Sequence, residues 1–241
     1  MDLWRAIINT PEKLAREYAA LWHAQRDEPE AFYKQVREDF NLTGRPDLFL
    51  YLLARCVKAA VRYNANGEFN QSPDHRRRGM APATMREQIF GASYYLKGKT
   101  SFSSKNYSDV VLLAKENDLI YMDPPYQGVC GNRDTRYLAS VQFCEFVEVL
   151  GQLNDRHMRY LISYDGRTGR KVHGRILPEH LKLTRMELDA GRSTQATLLG
   201  RDDVTVEALY LSPALSTELR KPKTIYHFTK SAQLCLMESK P

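Results

Sequence analysis

The sequence predicts an α/β fold: a helical, basic first part leading into a sheet built from alternating strands and helices. Three observations carry this. Apolar residues recur at helical spacing through roughly the first hundred positions. From about Lys99 the texture changes to short apolar runs separated by an amphipathic helix. Near the end, three strand-like runs follow one another across turn residues, which gives the sheet an antiparallel end. With 241 residues the chain is long enough for one sizeable domain, or for one domain with a smaller appendage. The expected organisation is a mainly helical, basic region over 1–98, a sheet over 99–215 and a basic tail over 216–241.

Taken in order, Thr10-Pro11-Glu12 marks a helix start, with threonine as cap and proline in the first turn. Leu14, Tyr18, Leu21 and Trp22 form its apolar stripe. A second helix is predicted from Pro29 to Phe40, with Phe32, Val36 and Phe40 on one face. A third is predicted from Pro46 to Val61, where Phe49, Leu52, Leu53, Cys56, Val57 and Ala60 recur at helical spacing. It runs into Arg62-Tyr63-Asn64-Ala65-Asn66-Gly67, a turn by composition. The polar, basic stretch from Gln71 to Ala81 reads as a surface loop, and another helix begins near Thr84. Leu119 to Met122 is a short apolar strand, Val141 to Leu153 an amphipathic helix, and Arg159 to Ser163 the next strand. The closing strands are Leu181 to Leu188, Thr194 to Leu199 and Val204 to Leu211.

Composition narrows the classes of function. No apolar run approaches the roughly 18 residues of a membrane span, and the N-terminus has no apolar core of a signal peptide. A cytoplasmic protein without a membrane is the expectation. The four cysteines, Cys56, Cys130, Cys144 and Cys235, are scattered without a CxxC pair, so reduced thiols and no metal are expected. The net charge is +6 and the pI about 9.1, which suits a polyanionic partner. The basic residues are concentrated: Lys58, Arg62, His75, Arg76, Arg77, Arg78, Arg86, Lys97 and Lys99 share one stretch. A solvated loop and a nucleic-acid surface both fit that stretch.

The motif that carries chemistry is Asp123-Pro124-Pro125-Tyr126, directly after an apolar strand. Two prolines force an extended backbone and remove two N–H donors, which leaves carbonyls to accept from a ligand. At the carboxyl end of a strand such a loop faces the crevice where α/β proteins bind ligands. An exocyclic amine has two N–H bonds and a lone pair conjugated into its ring. The Asp123 carboxylate and the Pro124 carbonyl can each accept one of those bonds and turn the lone pair toward an incoming methyl group. Tyr126 can stack on the base, worth roughly 1–3 kcal/mol, against an extrusion cost of a few kcal/mol.

These residues resemble the Dam-like alpha group of DNA adenine amino-methyltransferases. Phe49 to Asn70, FLYLLARCVKAAVRYNANGEFN, is similar to the family's helix ending in an RYN turn followed by GEFN. Asn106-Tyr107 precedes Asp123 at the spacing of an Asp-Phe pair that contacts the donor's adenine. Tyr160 to Asp165 looks like the strand after DPPY, and Val206 to Ser212 like the closing strand. The resemblance implies a Rossmann-like methyltransferase sheet and a preceding helical domain for target recognition. It implies S-adenosylmethionine as methyl donor and double-stranded DNA as substrate. Asp123, Pro124, Pro125 and Tyr126 would act on a flipped adenine, while Asn106, Tyr107 and Asp123 would meet the donor. Lys58, Arg62, Tyr63, Asn64, Arg76, Arg77, Arg78 and Arg86 would meet DNA.

The departures are specific. Lys58-Ala59 stands where the family has Asn-Gly, and Asn106 where it has an acid. The glycine-rich strand-to-helix loop and the lysine segment before it have no counterpart, so the predicted sheet is incomplete at its N-terminus. Three readings follow from the residues. A second polypeptide supplies the donor-binding strand, glycine loop and acid; or the chain is a truncated relative that only binds DNA; or it is a nucleic-acid-binding module with a structural DPPY turn. The intact Asp123, Asn106 and Tyr126 favour the split enzyme, in which the two polypeptides form a heterodimer.

Overall fold

The structure, a computed structural model, describes residues 1–124, 141–169, 171–192 and 204–220. The chain divides into two compact units, one of residues 1–110 with 128–141 and the other of residues 111–127 with 142–241. The predicted strand from Thr194 to Leu199 and the tail beyond Arg220 lie outside the described residues.

The first unit is helical. Its long helices are α1 (Asp2–Asn9), α2 (Pro11–Ala24), α3 (Pro29–Thr43), α4 (Pro46–Arg55) and α5 (Pro82–Leu96). Proline opens α2, α3, α4 and α5, where its missing N–H has no intrahelical acceptor to lose. Thr10 precedes α2 as the sequence indicates, but its hydroxyl does not cap the helix. It donates back to the Ala6 carbonyl at 3.3 Å. Helix α3 outruns its predicted end at Phe40 and stops at Gly44, whose φ of 65° is the left-handed conformation that glycine adopts without strain.

The helix predicted to reach Val61 ends at Arg55. Cys56 is extended, and Lys58 and Ala59 take φ of 58° and 50° within a short 3-10 turn. The reason is a competing set of backbone partners. The Val57 amide donates to the Ser72 carbonyl at 3.1 Å, the Asp74 amide to Arg55 at 2.8 Å and the Asn70 amide to Arg62 at 2.8 Å. Isolated bridges join Cys56 to Pro73 and Tyr63 to Phe69. Tertiary pairing thus overrides a helical apolar pattern. Leu14, Tyr18, Tyr33, Val36, Leu48, Tyr51, Leu52, Phe69, Met85 and Ile89 make the core, with Phe40, Phe49 and Phe69 in mutual ring contact.

A short helix, α6 (Tyr107–Val111), leads along the chain into the second unit. That unit is a mixed α/β sheet of β1 (Leu119–Met122), β2 (Arg159–Thr168), β3 (Lys171–His173), β4 (Thr184–Arg192) and β5 (Val204–Leu211), with helices α7 (Phe143–Asp155) and α8 (Pro213–Arg220). The strand order is β1-β2-β5-β4, and β3 pairs with β2. Strands β1 and β2 are parallel through the crossover that contains α7, while β5 is antiparallel to both β2 and β4. Strand β2 extends five residues past the predicted Ser163, and the strand expected at Leu181 begins at Thr184 after a 3-10 turn.

The two faces of this sheet differ. On one, Met122, Tyr160, Ile162, Tyr164, Ala208 and Tyr210 are buried, and α7 covers them. Phe146 contacts the Tyr164 ring, and Asn154 accepts from the Tyr160 hydroxyl at 2.8 Å. On the other face the register aligns Leu119 with Arg159, Tyr121 with Leu161, and Met186 with Leu209. Helix α8 crosses the lower end of that face, where Glu218 pairs with Arg159 and Ser216 donates to Thr184. Above it Leu119, Tyr121, Met186 and Leu188 remain exposed, at 58%, 60%, 45% and 45%. Among the described residues, no helix is long and apolar enough to cross a membrane.

Candidate active site

Strand β1 delivers Asp123 and Pro124 to the carboxyl end of the parallel pair. Leu119-Ile120-Tyr121-Met122 is a run of strand-forming residues whose register against Arg159 to Ile162 is unbroken. The ladder stops where Pro124 and Pro125 cannot donate. Asp123 is exposed and Pro124 half-buried. The Asp123 carboxylate meets no hydrogen-bond or ion-pair partner among the described residues. Pro125 and Tyr126, the other half of the motif, lie outside the described residues.

Next to it, β2 carries a feature that sequence reasoning missed. A bulge between Ser163 and Gly166 puts Asp165 at φ 55° and Gly166 at φ 149°. A Cβ on Gly166 would sit 2.5 Å from the Val206 carbonyl oxygen, so only glycine fits. The bulge turns the Asp165 carboxylate inward, where it is 3% exposed. It accepts from the Tyr210 hydroxyl at 2.6 Å and from Arg185 at 3.5 Å. Arg185 also donates to Glu187 at 2.8 Å and to the Tyr210 oxygen at 3.2 Å. Burial, and then the hydrogen bond and charge of Asp165, push the Tyr210 phenol up to about 12. It therefore stays a neutral donor to a buried carboxylate. The one sequence signal was an acid ending an otherwise apolar strand.

The other candidate residues belong to the first unit. Asn106 precedes α6, and its Oδ1 accepts the Ser108 amide at 3.3 Å. Tyr107 is the first residue of α6. Of the residues assigned to DNA, Lys58, Arg62, Arg76, Arg77, Arg78 and Arg86 are exposed. Arg77 is 3.9 Å from Asp74, and Arg86 lies over the Phe90 ring at 4.3 Å. Among the described residues Lys58, Arg62, Arg76 and Arg78 have no carboxylate partner. Tyr63 and Asn64 hold the turn. The half-buried Tyr63 ring meets Phe69 edge-on at 6.5 Å, and burial raises its phenol. Asn64 accepts the amides of Asn66 and Glu68 and donates to the Glu68 carboxylate at 2.7 Å.

The backbone pairings of 55–62 with 70–74 gather Lys58, Arg62 and the loop 75–78 onto neighbouring segments. Exposed cations on a basic chain can neutralise phosphates, and a strand-end carboxylate beside a proline carbonyl can accept both hydrogens of an amine.

Comparison with known proteins bears on what this arrangement serves. The family profile described as D12 class N6 adenine-specific DNA methyltransferase matches residues 1–187. A DNA N-6-adenine-methyltransferase of Escherichia phage P1 is 31% identical over 131 residues, 54% of this chain and 16% of that protein. A DNA adenine methylase of Serratia marcescens is 27% identical over 130 residues, 52% of this chain and 46% of its own. A DNA adenine methylase of Salmonella typhi is 24% identical over 233 residues, 92% of this chain and 79% of its own. The chain thus spans less than half the length of the first two relatives.

Proposed function

The chain belongs to the D12 class of N6 adenine-specific DNA methyltransferases, and on that premise we propose that it moves a methyl group from S-adenosylmethionine to the 6-amino group of an adenine flipped out of duplex DNA at a specific site. The observation that carries the reading is the Asp123 carboxylate, exposed and unpaired among the described residues, at the carboxyl end of β1 with the Pro124 carbonyl beside it. Together they accept the two amine hydrogens and turn the nitrogen lone pair out of the ring plane. S-adenosylmethionine supplies, when bound, an electrophilic methyl group on sulfur. Asp123 and Pro124 fix the amine in line with it, and positioning of this kind supplies much of a rate enhancement. Asp123 or water then takes the surplus proton. Tyr126 stacks on the extruded base. Lys58, Arg62, Arg76, Arg77, Arg78 and Arg86 meet phosphates.

The residues fit one end of the donor. Asn106 uses Oδ1 within the chain, so it is through Nδ2 that it donates to a ring nitrogen of the donor's adenine, with Tyr107 next to it. The methionine end needs a close backbone approach, which a glycine-rich loop before a helix provides. Among the 13 glycines of the sequence no two are adjacent or separated by one residue. We assign that part of the pocket to a second polypeptide carrying a strand, a glycine loop and a helix with an apolar face. The exposed Leu119, Tyr121, Met186 and Leu188 support this, because they leave apolar surface of the sheet uncovered in the chain alone. The setting is the cytoplasm.

The test is Asp123→Ala. Methyl incorporation into DNA falls below about a tenth of wild type, as expected when a transition-state interaction of a few kcal/mol is removed, while gel-shift affinity stays within twofold of wild type, about 0.4 kcal/mol. Transfer retained above that level removes the clamp.

A further inference from the structure

The loop of residues 71–80 carries three consecutive exposed arginines, and the helical core holds it from beneath. The Tyr18 hydroxyl of α2 donates to the Met80 carbonyl at 2.6 Å. Gln25, just past α2, donates to the Arg78 carbonyl at 2.9 Å and accepts from the Tyr51 hydroxyl at 3.1 Å. Arg55 of α4 donates to the Asp74 carbonyl at 2.9 Å and packs its Cδ against Gly79. The Tyr33 hydroxyl of α3 donates to the Gln71 carbonyl at 3.0 Å. Tyr18, Tyr33 and Tyr51 are fully buried, and Gln25 and Arg55 are 2% and 3% exposed. Within the loop, the Arg76 amide donates to Asp74 Oδ1 at 2.9 Å.

A buried hydroxyl, amide or guanidinium without a partner is costly. Here the partners are main-chain carbonyls of a surface loop, drawn from three separate helices. Such a core does not need this loop for apolar packing, since the loop has little apolar surface to offer. It does fix the path of residues 74–80 while the side chains of residues 75–78 stay exposed. A binding surface held in one conformation loses less freedom on association than a mobile one.

We propose that Tyr18, Gln25 and Arg55 are positioning residues for DNA binding, holding Arg76, Arg77 and Arg78 as a preformed phosphate-binding platform; this rests on the reading of that loop as a DNA-binding segment. None of the three touches DNA. They act through the backbone they hold, so their loss lowers affinity without lowering the number of phosphates engaged once the complex has formed.

The experiment compares the full chain with Tyr18→Phe, Gln25→Met, the double variant, and an Arg76/Arg77/Arg78 triple alanine variant. Each is titrated with one fluorescent DNA duplex over a salt series, with hydrogen exchange followed at the amides of 75–79. Each single variant is expected to bind about fivefold more weakly at fixed salt, consistent with losing the one hydrogen bond by which each side chain holds the loop. Exchange at 75–79 rises, and the slope of log affinity against log salt stays at the wild-type value. The triple variant flattens that slope by about one unit for each phosphate it leaves unneutralised. A purely structural role would lower the melting temperature and leave the affinity of the folded protein unchanged, which overturns the proposal. An unchanged slope in the triple variant instead overturns the DNA reading of the loop. Tyr18→Phe removes one oxygen, and Gln25→Met gives an independent measure if the first variant folds poorly.

Discussion

At its strand end Asp123 is exposed and has no partner among the described residues, whereas Asp165, within the neighbouring strand, is buried and hydrogen-bonded. The difference is one of backbone. Asp123 follows an unbroken ladder into two prolines, and that is legible in the sequence as four consecutive residues. Asp165 is turned inward by a bulge whose partner Tyr210 lies 45 residues along the chain, so no local pattern announces it. Gly166 is what permits the bulge. Gly166→Ala is expected to destabilise the protein by about 2 kcal/mol or more, because φ is 149° and a Cβ would collide with the Val206 carbonyl. Urea unfolding measures this, and a loss under about 0.5 kcal/mol would mean that the bulge relaxes freely. The side chains of Tyr63 and Asn64 teach the same lesson from the other direction. Their residue types suit DNA binding, yet their ring and amide are engaged in closing a turn.

Among the elements, the strands of the sheet were legible where β-forming residues stand in unbroken runs. Leu119 to Met122 and Val204 to Leu211 fall where the sequence puts them. Helix ends were less legible. The apolar spacing of Cys56, Val57 and Ala60 continues the α4 pattern, but the Val57 amide and the Arg55 and Arg62 carbonyls bond to residues 70–74 instead of continuing the helix. Lys58 and Ala59 turn into the left-handed region as a result. The same pairing brings the segment of Lys58 and Arg62 against the segment that leads into the arginine loop. The element-scale prediction concerns this surface. Alanine at Arg76, Arg77 and Arg78 should reduce the log–log salt slope of DNA binding by about one unit for each phosphate no longer neutralised. Filter binding between low and moderate salt reads it directly. An unchanged slope would make the loop a solvated turn.

For the whole molecule, the family and the mixed sheet were both readable from separated stretches, because the strand before DPPY and the next strand along the chain are each a clear apolar run and pair in space. The asymmetry of the sheet was not readable. It emerges only from the register, which places Leu119, Tyr121, Met186 and Leu188 on the face opposite α7. Exposed apolar surface of this kind marks interaction sites, and the proposed second polypeptide would cover it. The chain alone is therefore expected to bind S-adenosylmethionine weakly in calorimetry, and to gain affinity when the second polypeptide buries more than about 1,200 Å² in the complex. Micromolar donor affinity and full turnover by the chain alone would contradict that assignment. The central claim, adenine methylation at Asp123, has a more direct test. Unmethylated duplex DNA is incubated with an excess of the chain together with the donor-binding polypeptide at saturating donor, digested to nucleosides and analysed by mass spectrometry. The account predicts N6-methyladenine that falls below about a tenth in Asp123→Ala, the loss of a few kcal/mol of transition-state stabilisation; methylated cytosine in its place, or an undiminished yield from the variant, would contradict it.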